Sequence, residues 1–321
     1  MKVGIITSGG DSPGMNAAIR AIVRVGTHRG LEIIGFHGGF QGIIEEKYNP
    51  MDARSVAKII HRGGTCLKTG RSEHFKTEEG VNQAVSVLKK LEVDALVAIG
   101  GDGTMRGLEW LETHWEGMTI GLPGTIDNDL YGTDFSIGFD TAVNNALDAI
   151  DKIRDTAESF ARVFLIEVMG RHAGAIAAHV GLGCGATAIL LPETKTDLEA
   201  IASKIIKGRD LGKESSIIIV AEGDEAGDAA TVGEKLSKLV DEKCRVSVLG
   251  YIQRGGSPTR QDRLLATRLG VHAVESIMKG IHGVLLGEVA GDVVTTPYEY
   301  AYKNRKPLYK WILSLIDELA T

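Results

Sequence analysis

No apolar run in the chain approaches the roughly 20 residues that a membrane-crossing helix needs, so no membrane partner is expected. A basic excess is also missing. Lys and Arg number 36 against 42 Asp and Glu, a formal net charge of -6, whereas nucleic-acid binders usually carry a basic domain. Cysteine is scarce, with Cys66, Cys184 and Cys244 only. The number is odd and no two have metal-ligand spacing, so they read as reduced thiols of a cytoplasmic protein. The N-terminal run MKVGIITSGG stops at Ser8, too early for the apolar core of a signal peptide. Repeats of solenoid period and low-complexity linkers are absent as well.

What is present is an ordinary globular composition, 43% apolar and 24% charged, in 321 residues. That length suggests about two domains and suffices for a large core. Short β-branched runs alternate with longer helical ones, the pattern of α/β layers around mostly parallel sheet. The expected strands are Lys2–Thr7, Glu32–His37, Asp94–Ile99, Met118–Leu122, Arg162–Val168, Ala188–Leu191, Ser215–Ala221, Arg245–Leu249 and Gly283–Val289. Their nearly continuous apolar character fits sheets covered on both faces. Helices are expected at Gly14–His28, Ser55–His61, Thr77–Leu91, Thr104–Thr113, Thr141–Glu158, Asp197–Lys207, Asp228–Glu242, Gln261–Lys279 and near Leu308–Leu319.

Three glycine-bearing segments follow expected strands: Ser8-Gly9-Gly10-Asp11-Ser12-Pro13-Gly14, Gly100-Gly101-Asp102-Gly103-Thr104 and Pro123-Gly124-Thr125-Ile126-Asp127-Asn128-Asp129. Ligands of open α/β sheets gather at carboxyl ends of strands, so these segments predict one shared crevice. Glycine lets backbone N–H groups approach a phosphate, and a helix start adds a favourable dipole. Either of the first two loops alone is equally consistent with a tight turn that binds nothing. Neither is a Walker A loop, since no Gly-Lys-Ser/Thr follows, and neither fits the Rossmann spacing. Asp102 would repel phosphates unless a cation lay between them, which suggests Mg²⁺. Asp127 and Asp129 stand two apart and would share one side of extended backbone. One could take a hydroxyl proton while the other holds a cation, the division of labour phosphoryl transfer needs. By itself such a loop is more often an Asx turn.

These three segments, together with Met169-Gly170-Arg171 and Leu249-Gly250-Tyr251-Ile252-Gln253-Arg254-Gly255-Gly256-Ser257-Pro258, resemble the bacterial ATP-dependent 6-phosphofructokinases in order and spacing. The resemblance runs from the first strand past Pro258 and carries little from about Gly291 onward. It implies a glycolytic kinase that moves the γ-phosphoryl group of MgATP to the 1-hydroxyl of fructose 6-phosphate. The implied fold is α/β, two similar lobes, each a mostly parallel sheet flanked by helices. Residues 1–138 plus 251–300 would form the larger, nucleotide-binding lobe, and 139–250 plus 301–321 the smaller, sugar-phosphate lobe.

The resemblance also implies roles. Asp127 would be the general base, Thr125 would steady the phosphoryl group, Arg171 would stabilise the transition state, and Gly10 would line the catalytic centre. Gly10, Arg71, Gly101, Asp102, Gly103 and Thr104 would meet the nucleotide, with Phe40 and Lys76 beside it. Asp102 and Asp129 would hold Mg²⁺. The sugar phosphate would meet Thr125, Asp127, Asp129, Met169, Gly170, Arg171, Glu222, Tyr251 and Arg254, with Arg162 and Arg245 reaching it from a neighbouring subunit of a homotetramer. Tyr251 stands where a histidine is common, and a phenol can still donate to a phosphate oxygen.

Gly103 and Gly124 stand where pyrophosphate-using relatives carry Asp and Lys, which favours ATP as donor. Arg20, Arg24, Arg54, Arg154 and Lys213 match positions that bind an anionic effector between subunits. Thr187 replaces a magnesium-binding acid there, and Leu211 and Ser215 replace a common cation and histidine, so a weakened response to a nucleoside diphosphate is expected. Two other readings are a different ATP-using kinase, since Gly-Gly-Asp-Gly-Thr also occurs in NAD and lipid kinases, and a non-catalytic regulatory paralogue. The segments after Gly124 and Arg254 weigh against the first. The intact Asp127, Asp129 and Arg171 weigh against the second.

Overall fold

The computed structural model describes residues 1–319. The chain divides into two units. The larger comprises Met1–Thr141 and Arg254–Lys306; the smaller comprises Ala142–Gln253 and the described residues from Pro307 onward.

In the larger unit β1 (Lys2–Ser8), β2 (Glu32–Phe36), β3 (Tyr48–Met51), β4 (Ala95–Gly100), β5 (Met118–Pro123), β10 (Val284–Val289) and β11 (Asp292–Pro297) form one sheet. Its order is β11-β10-β5-β4-β1-β2-β3. The five inner strands are parallel, and β3 and β11 add antiparallel edges. β4 is buried along its whole length, as a strand covered on both faces must be. On one face Ile5, Val97, Ile99 and Ile120 meet Ile19 and Ile22 of α1 (Met15–His28) and Leu269 of α9 (Arg260–Met278). On the other, Ile6, Leu96 and Ala98 meet Val85 and Leu88 of α3 (Glu78–Lys90) and Leu108 of α4 (Asp102–Glu112).

In the smaller unit β6 (Val163–Val168), β7 (Ala188–Leu190), β8 (Ser216–Ala221) and β9 (Arg245–Val248) form an all-parallel sheet of order β7-β8-β6-β9. Leu165, Ile218 and Val220 pack against Ile205 of α7 (Leu198–Asp210) and Leu236 of α8 (Ala229–Leu239). Hydrogen bonds from the sequence's own polar residues open several helices. Thr77, Asp197, Asp228 and Thr259 each accept a backbone N–H three residues on, an N-cap contact worth about 1 kcal/mol.

The structure departs from expectation in six elements and in where the lobes divide. Ser55–His61 is a run of turns instead of a helix. Asp52 accepts the N–H groups of Arg54 and Ser55, but Lys58 takes φ 59°, and a left-handed residue stops a right-handed helix. β3 is short and carries Pro50, which only an edge strand tolerates. β11 follows a two-residue hairpin in which Ala290 and Gly291 both have positive φ. This is the backbone of a type I′ turn, disguised by alanine where Asn or Asp is usual. Two helices, α2 (Phe40–Ile44) and α10 (Tyr298–Lys303), are too short for a period to show. α6 (Ala175–Gly183) is apolar around much of its circumference and so shows no amphipathic stripe.

Residues 139–141 and 301–306, expected in the smaller lobe, belong to the larger unit, and residues 251–253, expected in the larger lobe, belong to the smaller unit. α10 is anchored there because the Tyr302 hydroxyl donates to Glu109, and the Tyr298 and Thr119 hydroxyls hydrogen-bond at 2.9 Å in the interior. Residues 320 and 321, assigned to the smaller lobe from sequence, lie outside the described residues. The longest helix, α5 (Phe139–Ser159), begins in the larger unit and continues into the smaller.

Candidate active site

In the larger unit the three glycine-bearing segments leave the carboxyl ends of β1, β4 and β5, which are adjacent strands. The chain turns to opposite sides of β1 to reach β2 and β4, so this is also a topological switch point, where such sheets bind ligands. Short bonds lace the loops together. Thr104 Oγ1 donates to the Ser8 carbonyl at 3.2 Å, and the Gly124 N–H donates to the Gly100 carbonyl at 2.9 Å. Thr69 Oγ1 donates to the Gly9 carbonyl at 2.9 Å, and Gly9 N–H donates to the Gly70 carbonyl at 3.2 Å. Arg71 is thereby brought to the first loop. α4 begins at Asp102 with no side-chain cap, so its first N–H groups face the loop as anion donors.

The glycines here differ in what they leave room for. At Gly103 an added Cβ would meet nothing within 4 Å. At Gly124 it would stand 2.8 Å from Ile99 Cγ2 and 3.1 Å from the Gly100 nitrogen. At Gly10 it would stand 2.7 Å from Arg254 Nη1, which itself donates to the Asp11 carbonyl at 3.1 Å. Arg254 therefore lies across the first loop, and only a glycine lets it come so close.

The segment 125–129 is not extended, contrary to the spacing argument. It bends at Ile126 and Asp127, and Asn128 takes φ 52°, so the i, i+2 relation does not by itself place Asp127 and Asp129 together. Asp127 is only 2% exposed, and its N–H donates to Thr125 Oγ1 at 3.2 Å. Asp127 and Asp129 each have an oxygen without solvent access. Lys306 donates to the Asp134 carbonyl. Burial pushes its pKa down to about 8, while the charges of Asp134 and Asp129 act the other way.

Among the described residues no three His, Cys, Asp or Glu side chains stand together as a metal cluster. Asp102 and Asp129 are nonetheless of the chemistry Mg²⁺ takes, since that ion usually binds one or two carboxylates and completes its shell with phosphates and water. Two of the weaker sequence assignments have partners of their own. Phe40 is buried, stacked on Phe75 at 4.1 Å within the core. Lys76 pairs with Glu73 on the surface at 2.7 Å.

In the smaller unit a second set of residues gathers at strand carboxyl ends. Met169, Gly170 and Arg171 follow β6, Glu222 follows β8, and Tyr251 follows β9. The Arg171 N–H donates to Glu222 Oε2 at 3.1 Å, and the Met169 N–H donates to Gln253 Oε1 at 3.3 Å. Gln253 is fully buried. Gly223 lies so close to the Arg171 carbonyl that a Cβ would stand 2.0 Å from it. Arg162 and Arg245 are not part of this group. Arg162 precedes β6 and Arg245 opens β9, which pairs with β6 in parallel. They therefore occupy the amino ends, about 15–20 Å away at roughly 3.3 Å per residue. Arg162 stacks on Phe160 at 4.2 Å.

Of the five cations expected at an effector site, the structure pairs some within each unit. Burial and the charge of Arg24 lower the pKa of Arg20, and burial and the charge of Arg154 lower that of Lys213. Arg54 lies in the turn after Asp52. Thr187 is buried at the start of β7.

The phosphofructokinase family description matches residues 2–277 of the chain. The chain belongs to the phosphofructokinase family. Among curated relatives, an ATP-dependent 6-phosphofructokinase of Thermus thermophilus is 52% identical over 99% of both chains. The enzyme of that name from Bacillus subtilis is 51% identical over 89% of both. Among solved structures, the phosphofructokinase of Saccharomyces cerevisiae superposes with a TM-score of 0.90 at 33% identity. It covers 99% of this chain, which spans 47% of the yeast chain. A pyrophosphate-dependent phosphofructokinase from Marinobacter aquaeolei has a TM-score of 0.84 at 22% identity, a likeness of fold. Within this family the chain is an α/β protein of mostly parallel sheets flanked by helices.

Sequence reading missed the residues that hold these loops. Asp262 is 1% exposed and takes the Gly138 N–H, the Thr141 N–H and the Thr141 hydroxyl. Its signal was the capping pattern Thr259-x-x-Asp262. Thr259 Oγ1 does accept the Asp262 N–H at 3.3 Å, but the Asp262 carboxylate serves the start of α5. Nothing in composition marks Ser136 or Gln253.

Proposed function

We propose that the chain is a glycolytic 6-phosphofructokinase, transferring the γ-phosphoryl group of ATP to the 1-hydroxyl of fructose 6-phosphate. The observation that carries the reading is the convergence of three glycine-bearing loops around the buried Asp127. Asp127 takes the proton of the 1-hydroxyl as that oxygen bonds to the γ-phosphorus. The bond from the γ-phosphorus to the bridging oxygen breaks, and ADP leaves. Thr125 and the N–H groups at the start of α4 hold the donor's phosphates, and Arg171 offsets charge developing on the phosphoryl oxygens. Mg²⁺ held by Asp102 and Asp129 would neutralise phosphate charge when bound.

Gly103 and Gly124 support ATP over pyrophosphate. The open space at Gly103 leaves room for the nucleotide's α-phosphate, where an aspartate would repel it. The close packing at Gly124 resists the lysine a smaller donor would call for. Met169, Gly170, Glu222 and Tyr251 meet the sugar phosphate, with Arg254 as a further cation. Arg162 and Arg245, at the far end of their sheet from Arg171, serve the site of a neighbouring subunit in a homotetramer. Turnover of fructose 6-phosphate with ATP and Mg²⁺, and little with pyrophosphate, tests the reading. Phosphorylation of NAD or a lipid instead, or no turnover at all, overturns it.

A further inference from the structure

A general base acts only if its carboxylate stays in register with the hydroxyl, and the loop carrying Asp127 has no regular structure of its own. Its support comes from a neighbouring segment. Ser136 is fully buried. Its hydroxyl donates to the Thr125 carbonyl at 2.6 Å, and its N–H donates to Asn128 Oδ1 at 2.9 Å. Ser136 Oγ also lies 3.3 Å from Asn128 Oδ1, but a hydroxyl has one proton and the shorter contact takes it. Asn128 Nδ2 donates in turn to the Asp134 carbonyl at 3.3 Å.

Asn128 is suited to this position in three ways at once. It tolerates φ 52° better than other side-chain-bearing residues. Its amide uses one acceptor and one donor, both inward. It adds no charge between Asp127 and Asp129. The segment that receives these bonds is itself pinned. The Asp134 N–H donates to the Glu288 carbonyl of β10 at 2.7 Å. The Ile137 N–H donates to the Pro123 carbonyl at 2.8 Å, and the Gly138 N–H donates to Asp262 Oδ1 at 2.8 Å. Asp127 is thus carried on a short arc tied at Thr125 and at Asn128 to a segment fixed at three points.

We infer that Ser136 and Asn128 are positioning residues for phosphoryl transfer, holding the Asp127 carboxylate at the acceptor hydroxyl without contacting substrate. The inference rests on the reading of Asp127 as the base. Its test is Ser136→Ala made in the wild-type chain and in an Asp127→Asn chain, with turnover and thermal unfolding measured for all four proteins. In the wild type, kcat falls about 10- to 100-fold, the scale of a small misplacement of a reacting group. KM for ATP and for fructose 6-phosphate changes less than about twofold, because binding is common to ground and transition states. In the Asp127→Asn chain the same substitution changes the residual turnover by less than about twofold, since a base already lost cannot be misplaced.

An equal fall in both backgrounds, or an unchanged kcat in the wild type, overturns the inference while leaving the base intact. Near-normal turnover of Asp127→Asn alone overturns the base assignment and the inference with it. If Ser136→Ala does not fold, Asn128→Gly answers the same question, because glycine keeps the backbone conformation and removes both side-chain bonds. Wild-type kcat in a folded Asn128→Gly protein counts against the positioning role.

Discussion

The two sheets furnish their carboxyl ends differently, one with buried groups and the other with exposed ones. At the ends of β1, β4 and β5 stand glycine loops and a carboxylate only 2% exposed. At the ends of β6, β8 and β9 stand Arg171 and Glu222, which are exposed, and Tyr251, which is 83% exposed. The difference follows from reach. An aspartate has two rotatable bonds, so its carboxylate is placed by its backbone, and the backbone must be tied down. An arginine carries its charge on a long arm and can settle onto a phosphate after it arrives. Preorganisation is therefore concentrated on the loop of Asp127, and adaptable charge on arginines such as Arg171.

On that division the largest loss comes from disarming the buried side. Asp127→Asn is expected to lower kcat by about 10²–10⁴-fold, the usual contribution of a general base. Its KM for fructose 6-phosphate should stay within a small factor, because the amide keeps the shape. Near-normal turnover in a steady-state assay would place the base elsewhere.

A second experiment concerns the arginines at the amino ends. Arg162→Ala and Arg245→Ala should each raise KM for fructose 6-phosphate by about 10- to 100-fold, the loss of a charge-assisted phosphate contact. Mixed and reassociated with Asp127→Asn subunits, Arg162→Ala subunits should recover turnover that neither shows alone under low sugar phosphate. Failure to complement, with mixed oligomers demonstrated by mass, would confine each site to one chain.

Filling the open glycine should have a more selective effect. Gly103→Asp is expected to raise KM for ATP about tenfold or more through repulsion of the phosphates, with fructose 6-phosphate affinity little changed. Equal weakening of both substrates would mean that the loop had collapsed.

A fourth experiment tests how firmly the start of α5 is held. Burial raises the pKa of Asp262 to about 6, against the pull of the hydrogen bonds from Thr141 and Gly138. The folded chain therefore holds this proton more tightly than the unfolded chain does. That stabilisation is full below about pH 4 and is lost as pH rises through about 6. Relative to Asp262→Asn, wild-type stability should decline by about 3 kcal/mol across that window. Parallel unfolding curves for the two proteins at every pH would show that Asp262 does not titrate there.

The smallest effect is regulatory. With Thr187 in place of an acid, ADP should activate only weakly at sub-saturating fructose 6-phosphate. Activation by an order of magnitude in such a titration would mean that Arg20, Arg24, Arg54, Arg154 and Lys213 bind the effector without that metal anchor.

Much of this was readable in the residues before any coordinates. Nine strands and most of the long helices follow from β-branched runs and amphipathic periods, because those patterns record burial directly. The glycine loops could be read because a backbone that must approach a neighbour closely excludes a Cβ, as at Gly10 and Gly124. Local chemistry misled where a single residue overrode its surroundings. Lys58 halts a helix that composition favours, and Ala290 takes a turn position that asparagine usually marks.

The identities of Asp127, Asn128 and Asp129 were plain in the chain, but their arrangement was not. Alternation along extended backbone would have set the two carboxylates side by side, and the left-handed Asn128 cancels that rule. What places Asp127 is a hydrogen bond from a serine eleven residues beyond Thr125, on a segment held by β10 and by a carboxylate from α9. Such contacts leave no periodic trace, because a serine or a glutamine is equally at home on a surface. Its meaning depends on which distant carbonyl the fold brings within 3 Å, and only packing of the strands in their sheet order supplies that.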